Sequence, residues 1–287
     1  MWRLHLALAV LAVVGCHRRL DVALTQQIEA QKLAADLRVQ LHGSAEAVQR
    51  SIMADTDESA SAFAAEARQA SAALEADLAA IEPIVAQIGS QDEVRLVQDT
   101  RTAFGNLQEL DGTLLALAVE NTNVKAQRLS FGPARESADA LRDHLNAAVR
   151  AAPSTKALRA QLLAARAQLG VREIQALQAP HIAEAEDAVM KQLEEQMAIS
   201  ESAARAALAD LSQLLGPTGA AELGAAREQL DRFAQTQHDL LALSHENSDV
   251  RSLAVALGDR RTLTAACDAA ATGLQQELAK HGLEATR

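Results

Sequence analysis

Apolar residues recur every three or four positions along most of the chain, which is the spacing of one face of an amphipathic helix. The clearest stripes are Leu33, Leu37 and Leu41; Leu74, Leu78 and Ile81; and Leu107, Leu114 and Leu117. Alanine and leucine, both strong helix formers, supply most of the 49% of residues that are apolar, whereas only 2% are aromatic. Strands favour β-branched and aromatic residues. The pattern therefore predicts an all-α protein.

Glycine and proline interrupt this pattern at few places. The main breaks lie at residues 89–90, 132–133, 153–154, 216–217 and 258–259. The first half of the chain is therefore expected to form helices near residues 20–53, 56–88, 91–131 and 133–151. A helix of about 35 residues is ~50 Å long, so we expect elongated up-and-down helical bundles with shallow cores of alanine and leucine.

A repeat is the strongest internal feature of the sequence. Residues 114–125 (LLALAVENTNVK) return 126 positions later as residues 240–251 (LLALSHENSDVR), and the match continues to Gly132 and Gly258. Two copies of one unit are therefore expected to fill the chain. We predict two tandem four-helix modules, over residues 16–151 and 152–287.

Each copy of the repeated segment carries an asparagine and a cation. Heptad spacing puts Asn121 and Asn247 on the apolar seam, where a buried amide costs stability and sets register. Lys125 and Arg251 follow four residues later and lie beside the amides. One interpretation is a register-setting amide with a solvated cation. The other is a polar contact in a bundle pocket, where an amide and a cation would bind a carboxylate. The candidate ligand contacts are Asn121, Lys125, Asn247 and Arg251, with the adjacent Glu120 and Glu246.

The first fifteen residues have the features of a secretory signal. A short head with Arg3 precedes an apolar run over residues 6–14, which is shorter than the ~20 residues that span a bilayer. Residues 13–16 (VVGC) resemble the lipobox of bacterial lipoproteins, which implies cleavage before Cys16 and acylation of that cysteine. The alternative is an ordinary signal with an incidental cysteine. We expect an extracytoplasmic lipoprotein that is anchored to the membrane rather than spanning it.

The helical pattern, in which the third helix ends in Leu-Leu-Ala-Leu and then Glu-Asn, resembles the extracytoplasmic four-helix-bundle sensory domain of methyl-accepting chemotaxis receptors. Residues 171–174 (VREI), followed by residues 183–187 (AEAED), are similar to the end of that family's first helix, and on this resemblance Arg172 joins the candidate ligand contacts. Two bundles also resemble the family's helical bimodular variant. The resemblance implies sensing without enzymatic chemistry. Because such receptors continue into a signalling coil and this sequence stops at Arg287, we expect no transmembrane signalling of its own.

Charge and motifs argue against other functions. The net charge of −11 disfavours nucleic acid, which needs a basic surface. His245 and Asp249 approach the H-E-x-x-H zinc motif, but the sequence offers no third ligand nearby. His181 with Glu184 is interpreted as a solvated helix start, and Glu194 as part of a solvated face. We therefore expect no enzyme, no cofactor and no metal site.

The expected function is that of a lipid-anchored binding module for a small polar ligand or a protein partner, such as a receptor or an envelope protein. The alternative is a structural or scaffold envelope lipoprotein without a small-molecule ligand. Such bundles often pair side by side, so a homodimer is one expectation for assembly. Phe104 and Phe233 are expected to anchor the core, and Cys267 to be a buried small hydrophobe on the last helix.

Overall fold

Ten helices account for nearly all of the residues that the structure, a computed structural model, describes: the backbone of residues 2–285 and the side chains of residues 22–280. They are α1 (Trp2–Ile52), α2 (Asp57–Ile88), α3 (Gln91–Glu120), α4 (Thr122–Leu129), α5 (Arg135–Arg150), α6 (Ser154–Ala183), α7 (Asp187–Leu215), α8 (Ala220–Glu246), α9 (Ser248–Val255) and α10 (Arg261–Ala285). Residues 2–285 contain no strand, and the predicted all-α helical bundle is confirmed.

Side-chain hydrogen bonds explain where α2 and α3 begin. The Thr56 hydroxyl accepts the Ser59 N–H at 3.1 Å and caps the start of α2. Before α3, the Glu93 N–H donates to Ser90 Oγ at 3.1 Å, and the Ser90 N–H donates to Glu93 Oε2 at 2.6 Å. This reciprocal capping box fixes the start of α3. Among the described residues, no helix has an apolar stretch long enough to cross a membrane.

The first of two compact units, unit 1, comprises Met1–Val119 and Ser252–Arg287. Four helices share its core. The core residues are Ala30, Ala34, Leu37 and Leu41 of α1; Leu74, Leu78, Ile81 and Val85 of α2; Val97, Phe104 and Leu107 of α3; and Cys267, Leu274 and Leu278 of α10. Phe104 and Cys267 are buried as predicted. Burial, together with the charges of Asp268 and Asp111, raises the pKa of the Cys267 thiol to about 11.

A buried ion pair holds the π-helical turn before α10 to α3 within unit 1. Arg260 Nε lies 2.6 Å from Asp111 Oδ1, and Arg260 Nη2 lies 3.1 Å from Asp111 Oδ2. Both side chains are about nine-tenths buried. A bidentate pair of this kind has a defined orientation, and removing one partner would leave a buried charge without its counterion. Arg260 closes the π-helical turn Ala256–Arg260, which leads into α10.

The second unit, unit 2, comprises Glu120–Arg251, and four helices again share the core. The core includes Leu141, Leu145 and Ala148 of α5; Leu163, Ala167, Val171 and Ile174 of α6; Met197, Ala204, Leu208 and Leu211 of α7; and Leu223, Leu230 and Phe233 of α8. Phe233 is fully buried, as predicted. Each unit is therefore built from four helices with an apolar centre.

The units do not coincide with the predicted tandem modules over residues 16–151 and 152–287. The expected boundary lies inside unit 2, where Ala152 packs against the unit 2 core. Unit 1 combines α1, α2 and α3 with α10, and unit 2 combines α6, α7 and α8 with α5. The last helix of each copy therefore packs with the first three helices of the other copy. Helical periodicity shows which face of a helix is apolar, but not which helices share a core.

The repeat is preserved in the local structure of both copies. In each copy a long helix ends, one asparagine follows, and a short helix then leads into a π-helical turn, Ser130–Ala134 in the first copy and Ala256–Arg260 in the second. The predicted continuous helix over residues 91–131 is accordingly wrong, since α3 ends at Glu120. Cys16, the predicted lipidation site, lies outside the residues whose side chains the structure describes.

A glycine sets the close approach of α6 and α7 in unit 2. A Cβ atom on Gly170 would lie 2.5 Å from the Ser200 carbonyl oxygen and 3.0 Å from Ala204 Cβ. We expect Gly170→Ala to lower the free energy of unfolding by about 1–3 kcal/mol, because the helices would have to move apart. Urea denaturation of the full chain carrying Cys16→Ser would measure this change.

Gly224→Ala in α8 is the matched control, because nothing lies within 4 Å of its added Cβ atom. That substitution should raise the free energy of unfolding by about 0.5–1 kcal/mol through helix propensity alone. A stabilising effect of Gly170→Ala similar to that of Gly224→Ala would contradict the close packing of α6 against α7.

Candidate functional site

Two helix breaks in the repeated segment organise the polar centre of unit 2. Asn121 stands between α3 and α4 with φ 53° and ψ 41°, and Asn247 stands between α8 and α9 with φ 52° and ψ 37°. Both angles lie in the left-handed region, which asparagine tolerates better than most residues with a side chain. Both asparagines are buried, as their seam positions predicted. Their role differs from the predicted one, because they end helices instead of setting register within one.

The helices that follow the two breaks cap each other. The Thr122 N–H donates to Ser248 Oγ at 3.0 Å, and the Ser248 N–H donates to Thr122 Oγ1 at 3.0 Å. Within the next two residues of each helix, the Val124 N–H donates to Asp249 Oδ2 and the Asp249 N–H donates to Asn123 Oδ1, each at 3.1 Å. The first N–H groups of a helix have no partner within it. Here α4 and α9 supply one another's acceptors, in a nearly two-fold arrangement.

Burial affects the charge at this junction. It raises the pKa of the Asp249 carboxyl, and the backbone N–H groups of Val124 and Asn123, which bind the carboxylate, offset only part of that rise. The Ser248 side chain is fully buried. The junction is therefore a closed polar contact in which backbone N–H groups donate to Thr122 Oγ1, Ser248 Oγ and Asp249 Oδ2.

Amide side chains attach the junction to the end of α6. Asn123 Nδ2 donates to the Ile182 carbonyl oxygen at 2.6 Å and to Asn247 Oδ1 at 2.8 Å. Asn247 Nδ2 donates to the Glu184 carbonyl oxygen at 2.8 Å. These carbonyls belong to the last turn of α6 and its cap, where intrahelical donors run out. The amides therefore position the connection between α6 and α7.

The predicted cations also bind helix ends. Lys125 Nζ donates to the Glu120 carbonyl oxygen at 2.7 Å, and Arg251 Nη1 lies 3.5 Å from the Glu246 carbonyl oxygen. A cation at a helix C-terminus satisfies an unpaired carbonyl and interacts favourably with the helix dipole. The side chains of Glu120 and Glu246 are exposed. The structure thus brings six of the predicted residues to one junction.

Arg172, the seventh predicted ligand contact, is not part of this junction. It is exposed on α6, eleven residues before that helix ends at Ala183, or about 16 Å along the helix axis.

Two histidines and a glutamate meet beside the junction, at the ends of three helices of unit 2. His181 lies in the last turn of α6, Glu194 in the second turn of α7, and His245 in the last turn of α8. Glu194 Oε1 lies 2.8 Å from His181 Nε2 and 2.5 Å from His245 Nε2. The two imidazole rings stand edge to face with centroids 5.5 Å apart. A single carboxylate oxygen therefore faces both rings.

The cluster is buried on one side and open on the other. The His181 side chain is fully buried, whereas 30% of the Glu194 side chain and 45% of the His245 side chain are exposed. Burial of Glu194 acts to raise its pKa, but the contacts with His181 and His245 outweigh burial, so the pKa of Glu194 is lowered. The ionised carboxylate is therefore the favoured form, and it is reachable from solvent.

The sequence predicts other surroundings for these residues. His181 is not at a solvated helix start, since it is buried near the end of α6, and Glu194 is not part of a fully solvated face. Asp249 does not pair with His245 as the zinc motif would require. The helix break at Asn247 separates the two residues, and the Asp249 carboxylate accepts the Val124 N–H instead. His181, Glu194 and His245 are too far apart in sequence for motif spacing to reveal them. The common signal is that each lies within two turns of a helix end.

A groove of about 510 Å³ in unit 1 is a second surface of ligand size. It lies between α3 and the start of α10 and is lined by Asn106, Glu109, Leu110, Thr113, Asp259, Thr262 and Leu263. Both charged residues in this lining, Glu109 and Asp259, are acidic. The two carboxylates favour a cationic ligand over an anionic one in this groove.

The junction leads to a prediction about stability. Ser248→Ala leaves the buried Thr122 N–H without its acceptor, and Thr122→Ala does the same to the Ser248 N–H, so each should cost about 1–3 kcal/mol. The two hydroxyl oxygens also lie 3.2 Å apart, so the double variant should lose less than the sum of the single losses. Urea denaturation of the three variants would measure both effects.

Thr102→Ala is the control for this cycle, because the Thr102 hydroxyl is exposed and donates only to the Gln98 carbonyl of its own helix. Its effect should stay within about 0.5 kcal/mol. Losses of the same small size in Ser248→Ala and Thr122→Ala would show that the reciprocal caps do not stabilise the fold.

Comparisons with protein-family models, with curated proteins and with solved structures found no match. The resemblance to chemoreceptor sensory domains therefore stays a prediction. A function for this chain has to be argued from the chemistry of its own side chains, and the His181, Glu194 and His245 cluster provides the most specific chemistry among the described residues.

Proposed function

We propose that this chain is a lipid-anchored, extracytoplasmic helical-bundle module that binds a small polar ligand of positive charge and carries out no enzymatic reaction. The observation that carries the proposal is the cluster of His181, Glu194 and His245, a partly open polar site between helix ends of a bundle with an apolar core. Ligand sites in helical bundles are commonly built in this way, from side chains on facing helices.

The contacts made by the cationic side chains, and the carboxylates that stay open to a ligand, favour a ligand of positive charge. Lys125 and Arg251, the cations that would have bound a carboxylate, bind backbone carbonyls at helix ends. The cluster instead presents the carboxylate of Glu194, and the unit 1 groove presents those of Glu109 and Asp259. A carboxylate in a partly buried site attracts a cation more strongly than it would in open water. A cationic ligand therefore fits better than an organic acid.

The anchor in the proposal rests on the sequence. The apolar run before residues 13–16 (VVGC) is similar to a lipoprotein signal, and an acyl chain on Cys16 would hold the helical units at a membrane surface. The basic run His17, Arg18 and Arg19 would then lie next to the lipid, where cations favour anionic headgroups.

Binding can be tested on the full chain carrying Cys16→Ser with a panel of amines, amino acids, organic acids and divalent cations. We expect a cationic member to raise the melting temperature by preferential binding to the folded state, and organic acids to leave it unchanged. His245→Ala should weaken the shift. If no member of the panel changes the melting temperature, the binding function is wrong and a structural role in the cell envelope is favoured instead.

Anchoring has a separate test, the intact mass of the wild-type chain recovered from the membrane fraction of a bacterial host. We expect a chain that begins at Cys16 and carries acyl groups, because the acyl chains supply the membrane affinity. Cys16→Ser is the control and should move the protein out of that fraction. An unmodified Cys16 in membrane-bound protein would contradict lipidation without affecting the binding proposal.

A further inference from the structure

We infer that His181, Glu194 and His245 form a binding site for one divalent transition-metal ion of the Zn²⁺ class. The inference rests on the proposed binding function and deepens it, because it names the ligand. It is carried by three features of unit 2: the ligand atoms, the hydrogen bond that orients His181, and the exposure of the cluster.

The ligand atoms have the composition and spacing of a metal site. His181 Nε2, Glu194 Oε1 and His245 Nε2 all lie within 4.8 Å of one another. Two histidines and one glutamate form a common ligand set of catalytic zinc sites, with bonds of about 2.0–2.2 Å. Tetrahedral bonds of that length separate neighbouring ligand atoms by about 3.3 Å. The contacts of 2.8 and 2.5 Å to Glu194 need only a small outward movement of this partly exposed side chain to reach that separation.

A hydrogen bond to Ser244 orients His181 for coordination. Ser244 Oγ lies 2.9 Å from His181 Nδ1 and 3.1 Å from the His181 carbonyl oxygen, so it contacts the ring nitrogen that faces away from Glu194. The hydrogen bond leaves His181 Nε2 as the ring nitrogen that faces Glu194 and that a metal ion would use. Metal-binding histidines typically use the other ring nitrogen in this way, to fix the tautomer and the ring orientation.

His181 Nε2 and Glu194 Oε1 are 2.8 Å apart, a separation that a hydrogen bond between the two atoms also produces. A metal ion would replace that hydrogen bond and would also engage His245 Nε2, which lies against the same carboxylate oxygen.

The surroundings favour an ion with an open coordination position. His181 is at the buried side and His245 at the exposed side, so three protein ligands would leave the remaining position to water. Two imidazole nitrogens and one carboxylate suit Zn²⁺, Co²⁺ or Ni²⁺, whereas Mg²⁺ and Ca²⁺ prefer oxygen ligands throughout. The ends of α6 and α8 that carry the histidines are held together by Ser244 and by the Asn123 and Asn247 amides.

The test is metal binding by the full chain carrying Cys16→Ser, without an affinity tag and after removal of metal by a chelator. Isothermal titration should give one Zn²⁺ per chain. Titration with Co²⁺ should produce visible absorption bands of a four- or five-coordinate site that saturate at one equivalent, and Mg²⁺ should not bind. Absence of both the Zn²⁺ heat signal and the Co²⁺ bands would overturn the inference, and would mean that a proton occupies the contact.

Variants distinguish this site from other histidines. His245→Ala and Glu194→Gln should each weaken Zn²⁺ binding by at least about a hundredfold, and Ser244→Ala by about 10–100-fold. His238→Ala is the matched control, since His238 is an exposed residue of the same helix seven positions before His245. The Zn²⁺ affinity of the His238→Ala variant should equal that of the wild type. Because His245 is partly exposed, its replacement leaves the fold intact, which circular dichroism would check. Equal affinity in wild type and His245→Ala would overturn the assignment.

The outcome also separates this inference from the broader proposal. If Zn²⁺ and Co²⁺ do not bind but another cation of the panel raises the melting temperature, the metal site is wrong and the binding function stands. If neither metal ions nor organic cations bind, both proposals fail.

Discussion

The reciprocal capping of α4 and α9 is the contact on which the polar organisation of unit 2 depends. A break in a helix exposes several N–H and C=O groups that need partners, and a buried break without partners is costly. Asn121 and Asn247 each create such a break. The side chains of Thr122 and Ser248 satisfy the new N–H groups across the pair, so the two breaks are stabilised together. The two copies of the repeated segment therefore contact each other in the folded chain.

The position of the His181, Glu194 and His245 cluster follows from this contact. Asn247 precedes Ser248, one of the capping residues, and its amide binds the Glu184 carbonyl just after α6. Asn123 binds the Ile182 carbonyl of the same turn. The last turn of α6, which carries His181, is thereby held close to the last turn of α8, which carries His245. A binding site built on helix ends gains its precision from hydrogen bonds that fix those ends.

The charged residues of the repeat cap helices, but in the sequence they have the pattern of a carboxylate-binding site. Asparagine beside lysine or arginine is a reasonable carboxylate site, and both copies carry it. In the folded chain Lys125 and Arg251 satisfy carbonyls at the ends of α3 and α8. The interpretation as a register-setting amide with a solvated cation was also incomplete, because the cations act as helix caps. What remains available to a ligand is the carboxylate of Glu194 between two imidazoles.

Local periodicity and composition determined the helical class, the helix faces and the buried positions of Phe104, Phe233 and Cys267, because a helix buries its apolar stripe wherever it packs. The repeat also marked the segment that becomes the junction. Tertiary structure alone decided that α10 joins the first three helices and that α5 joins α6, α7 and α8, since alanine and leucine stripes fit many partners equally well. It also decided that His181, Glu194 and His245 meet, because contacts between helix ends leave no spacing in the sequence.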